Sequence, residues 1–326
     1  LMRAMGSAKW PAVILIGANI LNILLDVLLV YGPGPAPDLF AWGAPVAALL
    51  GLPRMEVDGA AWATVIARSL GCIASFMVLF LSIYRAQFKR EYLKPVFPEI
   101  RKLISLALPS SGQLVVRIVG VLFAISLINR FLENPLNEEV LAAYGICIRL
   151  ETIVLFTSLG WGGAVATFVG ANLGANSPQR AFRAGVFGCL FSALSVTLIA
   201  GIYLRFPETL MALFLLDESV ISEGSRYLAI VALTYPLVSI AVVLSNAIQG
   251  AAETITSLII DAVIVCLFQA PVMFLGLYLF SGSSAWIWAS FAAANLISAL
   301  AYAAYYKTKK WVPENHTSIL SHPSSS

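Results

Sequence analysis

Eight times along this chain an apolar run of about 20 residues recurs between short polar connections. At about 1.5 Å rise per residue, such a run forms a helix that crosses about 30 Å of hydrocarbon. The runs fall near 11–30, 59–83, 103–129, 140–170, 184–204, 227–250, 257–280 and 284–306. Inside lipid every backbone N–H and C=O must be paired within the protein, and a helix does this by itself. Charged residues make up 11% of the chain, against about 25% in soluble domains, which excludes a soluble core. The expected fold class is an all-α polytopic membrane protein, with the lipid bilayer as its first partner and nothing that points to nucleic acid.

Orientation follows from lysine and arginine in the connections. Thirteen lie on one side: Arg3, Lys9, Arg85, Lys89, Arg90, Lys94, Arg101, Lys102, Arg180, Arg183, Lys307, Lys309 and Lys310. Four lie on the other, Arg54, Arg130, Arg205 and Arg226, and three sit within spans, Arg68, Arg117 and Arg149. The basic side, which includes the C-terminal tail, is expected in the cytoplasm of a plasma or bacterial inner membrane. The opposite loops are acidic, with Glu133, Glu138, Glu139, Asp217, Glu218 and Glu223. Cys72, Cys147, Cys189 and Cys266 lie in apolar runs without CxxC spacing and read as small buried hydrophobes. Both histidines, His316 and His322, are in the polar tail, so a histidine metal centre is not expected. Pro109, Pro236 and Pro271 are candidates for bending their spans. No nucleophile–base pair or phosphate loop is present, and the chain does not read as an enzyme. The NHT at 315–317 matches a glycosylation sequon, silent on the cytoplasmic side. Leu1 is not an initiator, so the expectation is a truncated chain.

Two stretches resemble each other. LMRAMGSAKWPAVILIGANI (1–20) pairs with AIQGAAETITSLIIDAVIVC (247–266), and the following helices begin GAAWAT (59–64) and AWIWAS (285–290). Spans one and two therefore read as a second copy of spans seven and eight, a duplication that secondary transporters use to build sites between repeats. The stretch YGICIRLETIVLFTSLGWGGAVATFVGANLGANSPQRAFRAG (144–185) then narrows the family. It resembles a span of the C-terminal lobe in multidrug and toxic compound extrusion (MATE) transporters, with ATFVGANLGA as its most specific part. LPSSGQL (108–114), SNAIQGAAET (245–254) and RAMGSAKWP (3–11) are similar too. The IRLE around Arg149 and Glu151 resembles the DinF-like branch. The resemblance implies twelve spans in two lobes, of which this chain matches five to twelve. Residues 1–90 would be a remnant of the N-terminal lobe with two spans, 91–312 a six-span C-terminal lobe, and 313–326 a cytoplasmic tail. The missing N-terminal spans would be the closest partner. Apart from any family, the small residues of 160–175 let helices approach closely in lipid.

Asp26 stands inside NILNILLDVLLV (19–30), and ionisable residues at such depth are usually functional. Asn19, Asn22 and Asp26 share one helix face, as do Ala60, Thr64 and Arg68 on the next span. Asp26 falls roughly 7 Å below the outer end of its helix and Thr64 roughly 9 Å below Asp58, so the two stripes can face each other. Carboxylate, amide and hydroxyl oxygens suit a hard cation or a bound proton. An Asp26–Arg68 ion pair that ties two helices together accounts for the same residues. What the resemblance adds is a coupling-ion site, for Na⁺ or H⁺ and with no other cofactor. In DinF-like members the N-terminal lobe uses Asn-x-x-x-Asp, a threonine and a first-span aspartate. Asn22, Asp26 and Thr64 match, with the Ala60 carbonyl one turn away, and the first-span aspartate is absent. The family's other arrangement, acids on spans seven and ten, is replaced here by Arg117 and an aliphatic near Val238.

Candidate cavity-lining residues are Arg68, Gln113, Arg117, Arg149, Glu151 and Asp261. Arg117 and Glu151, on adjacent spans near mid-membrane, are expected to pair, while Arg149 and Asp261 have no obvious partner. Phe123, Tyr144, Phe156, Tyr235 and Met273 suit apolar or cationic compounds or plain packing. The expected function is a cation- or proton-coupled antiporter that exports amphipathic small organic substrates. The alternatives are a lipid-linked saccharide flippase of the same superfamily and a non-transporting membrane scaffold.

Overall fold

The computed structural model describes residues 9–81, 95–133, 136–279 and 284–312. The turn before residue 9, the basic cluster from Arg85 to Lys94 and the tail with its sequon and histidines lie outside these. Among the described residues eight helical segments are long and apolar enough to cross a membrane: Lys9–Tyr31, Glu56–Phe80, Phe97–Phe131, Leu136–Gly174, Pro178–Arg205, Glu218–Gly250, Thr254–Leu279 and Ala285–Thr308. Each expected run coincides with one of them. The fourth runs well beyond 140–170 at both ends, because polar residues continue its helix past the apolar stretch.

The chain divides into two units, Leu1–Val96 and Phe97–Ser326. In the first, helix α1 (Lys9–Asp26) continues as a π-helical turn, Val27–Tyr31, followed by short α2 (Gly43–Leu49) and long α3 (Glu56–Leu81). Helix α3 packs along α1, and small residues set the approach: a Cβ on Gly71 would lie 3.2 Å from the Ala18 methyl. At the outer end the Met55 N–H donates to the Leu29 carbonyl at 2.9 Å, tying the start of α3 to the π turn. Gly59 fits there because any side chain would meet the Leu29 carbonyl oxygen at 2.5 Å.

The second unit holds α4 (Phe97–Phe131), α5 (Leu136–Gly174), α6 (Pro178–Arg205), short α7 (Pro207–Ala212), α8 (Glu218–Val231), α9 (Tyr235–Gly250), α10 (Thr254–Ala262), α11 (Ala270–Leu279) and α12 (Ala285–Thr308). Helix α5 is central, packed against α6, α8 and α9. Its small residues are what permit this: a Cβ on Gly250 would stand 2.5 Å from the Ala166 carbonyl oxygen and 2.7 Å from its Cα. Below that crossing the chain turns twice in the same way. Asn176 (φ 54°) and Ala252 (φ 69°) are left-handed, and Ser177 and Glu253 donate back to the Asn172 and Ile248 carbonyls at 2.8 and 3.2 Å. These Schellman closures satisfy the last carbonyls of α5 and α9, and Pro178 then opens α6.

Two of the three expected proline breaks appear. Pro236 cannot donate to the Ala232 carbonyl, and a 3₁₀ turn at Ala232–Thr234 separates α8 from α9. Pro271 leaves the Leu267 carbonyl without its usual donor, and the π-helical turn Val263–Gln269 lies just before it. Pro109 sits within a continuous α4. Four placements are corrected: Glu138 and Glu139 lie in the first turn of α5, and Glu218 and Glu223 in α8, where Glu223 is buried and accepts from Ser284 Oγ at 2.6 Å and Arg226 at 3.0 Å. The cysteines are also mixed, with Cys147 buried but Cys72 and Cys266 exposed on apolar helix faces, where the surroundings in a membrane are lipid.

Candidate functional site

The first polar cluster lies in the Leu1–Val96 unit. Thr64 donates its hydroxyl to the Ala60 carbonyl at 2.9 Å, as threonine commonly does one turn back along a helix. That leaves the Thr64 oxygen free to accept, and the Asn22 amide approaches it at 3.5 Å. Asn22, Thr64 and Ala60 are thus brought together across α1 and α3. Asp26 stands one turn beyond Asn22, half-buried, where α1 passes into its π turn. Arg68 is exposed, as is Asn19. Among the described residues Asp26 forms no ion pair, so the Asp26–Arg68 tie is not made.

The second cluster is larger and lies wholly within the Phe97–Ser326 unit. Asp261 of α10 is 6% exposed and receives three donors: the Tyr302 hydroxyl at 2.7 Å, the Gln113 amide at 3.1 Å and Arg117 at 3.5 Å. Gln113 itself reaches the Ser245 hydroxyl at 3.3 Å and accepts from Gln249 at 2.9 Å. Gln249 also meets Ser110 at 3.2 Å. Four helices are joined in this way, α4 (Ser110, Gln113, Arg117), α9 (Ser245, Gln249), α10 and α12. Buried polar groups in lipid must find protein partners, and Gln113, Ser245 and Asp261 find theirs in one another and in Tyr302. Gln113 is a buried centre of the network rather than a wall of the cavity.

Above the network lies a cavity of about 240 Å³ lined by Arg117, Glu151, Val238, Asp261, Gln269, Phe291 and Asn295, among others. A neighbouring space of about 260 Å³ shares Arg117, Glu151, Val238, Phe291 and Asn295 and adds Tyr144, Thr152 and Tyr235. Two expectations are corrected here. Arg117 pairs with Asp261, not with Glu151. Glu151 instead accepts from the Tyr227 hydroxyl of α8 at 2.5 Å. The reason is geometric: α10 carries Asp261 to the face of α4 that bears Gln113 and Arg117, while α8 brings Tyr227 to Glu151. Asp261, expected to lack a partner, thus has three. Arg149 is exposed, with no polar partner among the described residues. Tyr302, Ser245 and Gln249 escaped sequence reasoning. Their signal was the i, i+4 recurrence of polar residues in α4 (Gln113, Arg117) and α9 (Ser245, Gln249), which marks one shared polar face.

Comparison with known proteins follows from this architecture. The family model MatE matches residues 118–275, from within α4 to within α11. A solved structure of a mutant of the Vibrio cholerae MATE transporter VcmN superposes with a TM-score of 0.78 over 97% of this chain and 66% of that one, at 19% identity. The fold is that of the MATE transporters, and the family model covers just under half of the chain. An FAD transporter of Shewanella oneidensis is 27% identical over 281 residues, 85% of this chain and 57% of its own length. Multidrug resistance protein PmpM of Pseudomonas aeruginosa is 28% identical over 267 residues, 79% of this chain and 50% of that protein. The chain therefore spans roughly half to two thirds of the length of the proteins it matches. Within this MATE fold the family-matched segment contains Glu151 and Asp261, whereas the Asn22–Thr64 cluster lies N-terminal to it.

Proposed function

We propose that this chain is part of a MATE-family, ion-coupled exporter of amphipathic small organic compounds, with Asp26, Asn22, Thr64 and the Ala60 carbonyl as its coupling-ion site. The observation that carries the reading is the join between α1 and α3: Asn22 and Thr64 meet at 3.5 Å, Thr64 is held on Ala60 at 2.9 Å, and Asp26 lies one turn away without a counter-charge. A carboxylate at membrane depth with no cation beside it is costly unless it takes up a proton or a cation. Sodium and protons both meet this description. The Lys/Arg asymmetry supports a cytoplasmic C-terminus in a plasma or inner membrane, and the IRLE stretch supports a DinF-like affiliation. The homologous multidrug resistance proteins favour a drug-like substrate.

A second reading, a flavin nucleotide as cargo, draws on the Shewanella FAD transporter and on Arg117, a cation in the cavity wall able to meet a phosphate. The test is efflux from cells lacking their own exporters, loaded in turn with ethidium and with FAD, with and without an imposed sodium or pH gradient. Gradient-dependent loss of ethidium supports the first reading, and loss of FAD alone the second. Correct insertion without either would contradict both.

A further inference from the structure

The cavity of the second unit has a positive and a negative wall, and neither is fully met by the protein. On the positive side, Arg117 is 39% exposed, and its one polar contact among the described residues is a single nitrogen 3.5 Å from Asp261. A guanidinium carries five N–H donors, so most of them are unused. Asp261 has little need of more, since Tyr302 and Gln113 already donate to it at 2.7 and 3.1 Å. On the negative side, one oxygen of Glu151 takes the Tyr227 hydroxyl, and among the described residues no second donor meets the carboxylate in full hydrogen-bonding geometry. Among the described residues no lysine or arginine reaches ion-pair distance of Glu151. Tyr235 lines the same space, 1% exposed. Its hydroxyl is near the Glu151 carboxylate, and among the described residues it meets no partner in full hydrogen-bonding geometry. A buried hydroxyl left in this state is a rare and costly feature.

We propose that this cavity binds a small zwitterion of the amino-acid class with an apolar side chain. Its ammonium lies against Glu151 and the Tyr235 hydroxyl, its carboxylate takes the unused donors of Arg117, and its side chain rests on Val121, Val238 and Phe291. The charge count separates this ligand from its relatives. A simple cation meets Glu151 but leaves the guanidinium to water. A simple anion meets Arg117 but adds a third negative charge to a wall that already holds Asp261 and Glu151. Only a ligand with both charges uses both sides, and guanidinium–carboxylate bonds are among the stronger ones. The inference names a substrate class for the exporter proposed above and rests on that reading for its biological meaning.

Binding is measured without transport, so the two readings fail separately. Three size-matched probes, phenylalanine, phenethylamine and 3-phenylpropionate, are titrated into the full chain in lipid nanodiscs by calorimetry. The expected result is a Kd for phenylalanine at least tenfold below that of either single-charge probe. Arg117→Gln should bring phenylalanine to the level of phenethylamine, and Glu151→Gln should bring it to the level of 3-phenylpropionate. If either variant fails to fold, as judged by thermal melting of its helical circular dichroism, the three-probe ranking on the unaltered chain still decides. Phenethylamine equal to phenylalanine, 3-phenylpropionate tightest, or no binding by a folded chain would each overturn the proposal. Binding of phenylalanine by a chain that exports nothing would leave the zwitterion site standing and remove the exporter.

Discussion

Tyr302→Phe removes one oxygen atom from the polar network and nothing else. That hydroxyl has a single proton and two acceptors in reach, Asp261 Oδ1 at 2.7 Å and the Ser257 carbonyl at 3.0 Å. The carboxylate is nearer and charged, so it takes the proton. Neutral hydrogen bonds between membrane helices are worth about 0.6 kcal/mol on average and at most about 1.7, whereas bonds to charged groups are worth about 1.5–3 kcal/mol. Asp261 keeps Gln113 and Arg117 after the change, which argues for the lower part of the second range. The expected loss is about 1.5–2 kcal/mol. Ser192→Ala provides the neutral comparison, because Ser192 and Ser239 share a hydrogen bond in a fully buried setting; its expected loss is about 0.6 kcal/mol. Both are measured by SDS-driven unfolding in mixed micelles, followed by circular dichroism. Equal losses for the two variants would refute the reasoning, since they would mean that the bond to Asp261 is worth no more than a neutral one.

Gly250→Ala should destabilise by about 1–3 kcal/mol in the same assay, because the new methyl meets Ala166 backbone at 2.5 Å; Gly160→Ala, with nothing within 4 Å, should be near neutral. A Gly250 variant as stable as the Gly160 one would contradict the close helix crossing. Asp217 caps α8 through the Ser219 hydroxyl at 2.6 Å and N–H at 3.0 Å, and these bonds hold its carboxyl below the usual aspartate range. Its folded value being depressed, the stabilisation is complete above the unfolded value of about 3.9 and fades as pH falls below it. Asp217→Ala should therefore lower the melting temperature at pH 7 and converge on the unaltered chain in acid; a gap that persists to pH 2 would argue against the cap. Asn22→Ala should weaken gradient-driven efflux without loss of folded protein, and unchanged efflux would remove Asn22 from the coupling site.

The eight spans were legible because lipid imposes a length and a polarity that few other contexts require, and their positions follow directly from the apolar runs. Partners of the buried charges were not. Arg117 and Glu151 lie on neighbouring spans at similar depth, and depth alone cannot tell which way each helix is rotated. Helix α4 packs on α10 through Gly112, where a Cβ would lie 3.2 Å from Leu258, and Arg117 one to two turns on meets Asp261. The Tyr302 and Tyr227 hydroxyls were hidden for a related reason, since aromatic residues in apolar runs look the same whether they face lipid or a carboxylate. By contrast, Asn22 and Thr64 were readable as a meeting pair because each shares one helix face with other polar residues, and the two stripes lie at comparable depth in consecutive spans.

The most direct test of the account is Asp26→Asn. The amide keeps the shape of the side chain and removes its titrating charge. Efflux of ethidium driven by an imposed sodium or pH gradient is measured beside the unaltered chain at equal membrane abundance. The account predicts that gradient dependence is abolished in Asp26→Asn and is not restored by adding Arg68→Gln, because Asp26 and Arg68 form no pair. Gradient-driven efflux retained by Asp26→Asn, or recovered in the double variant, would contradict it.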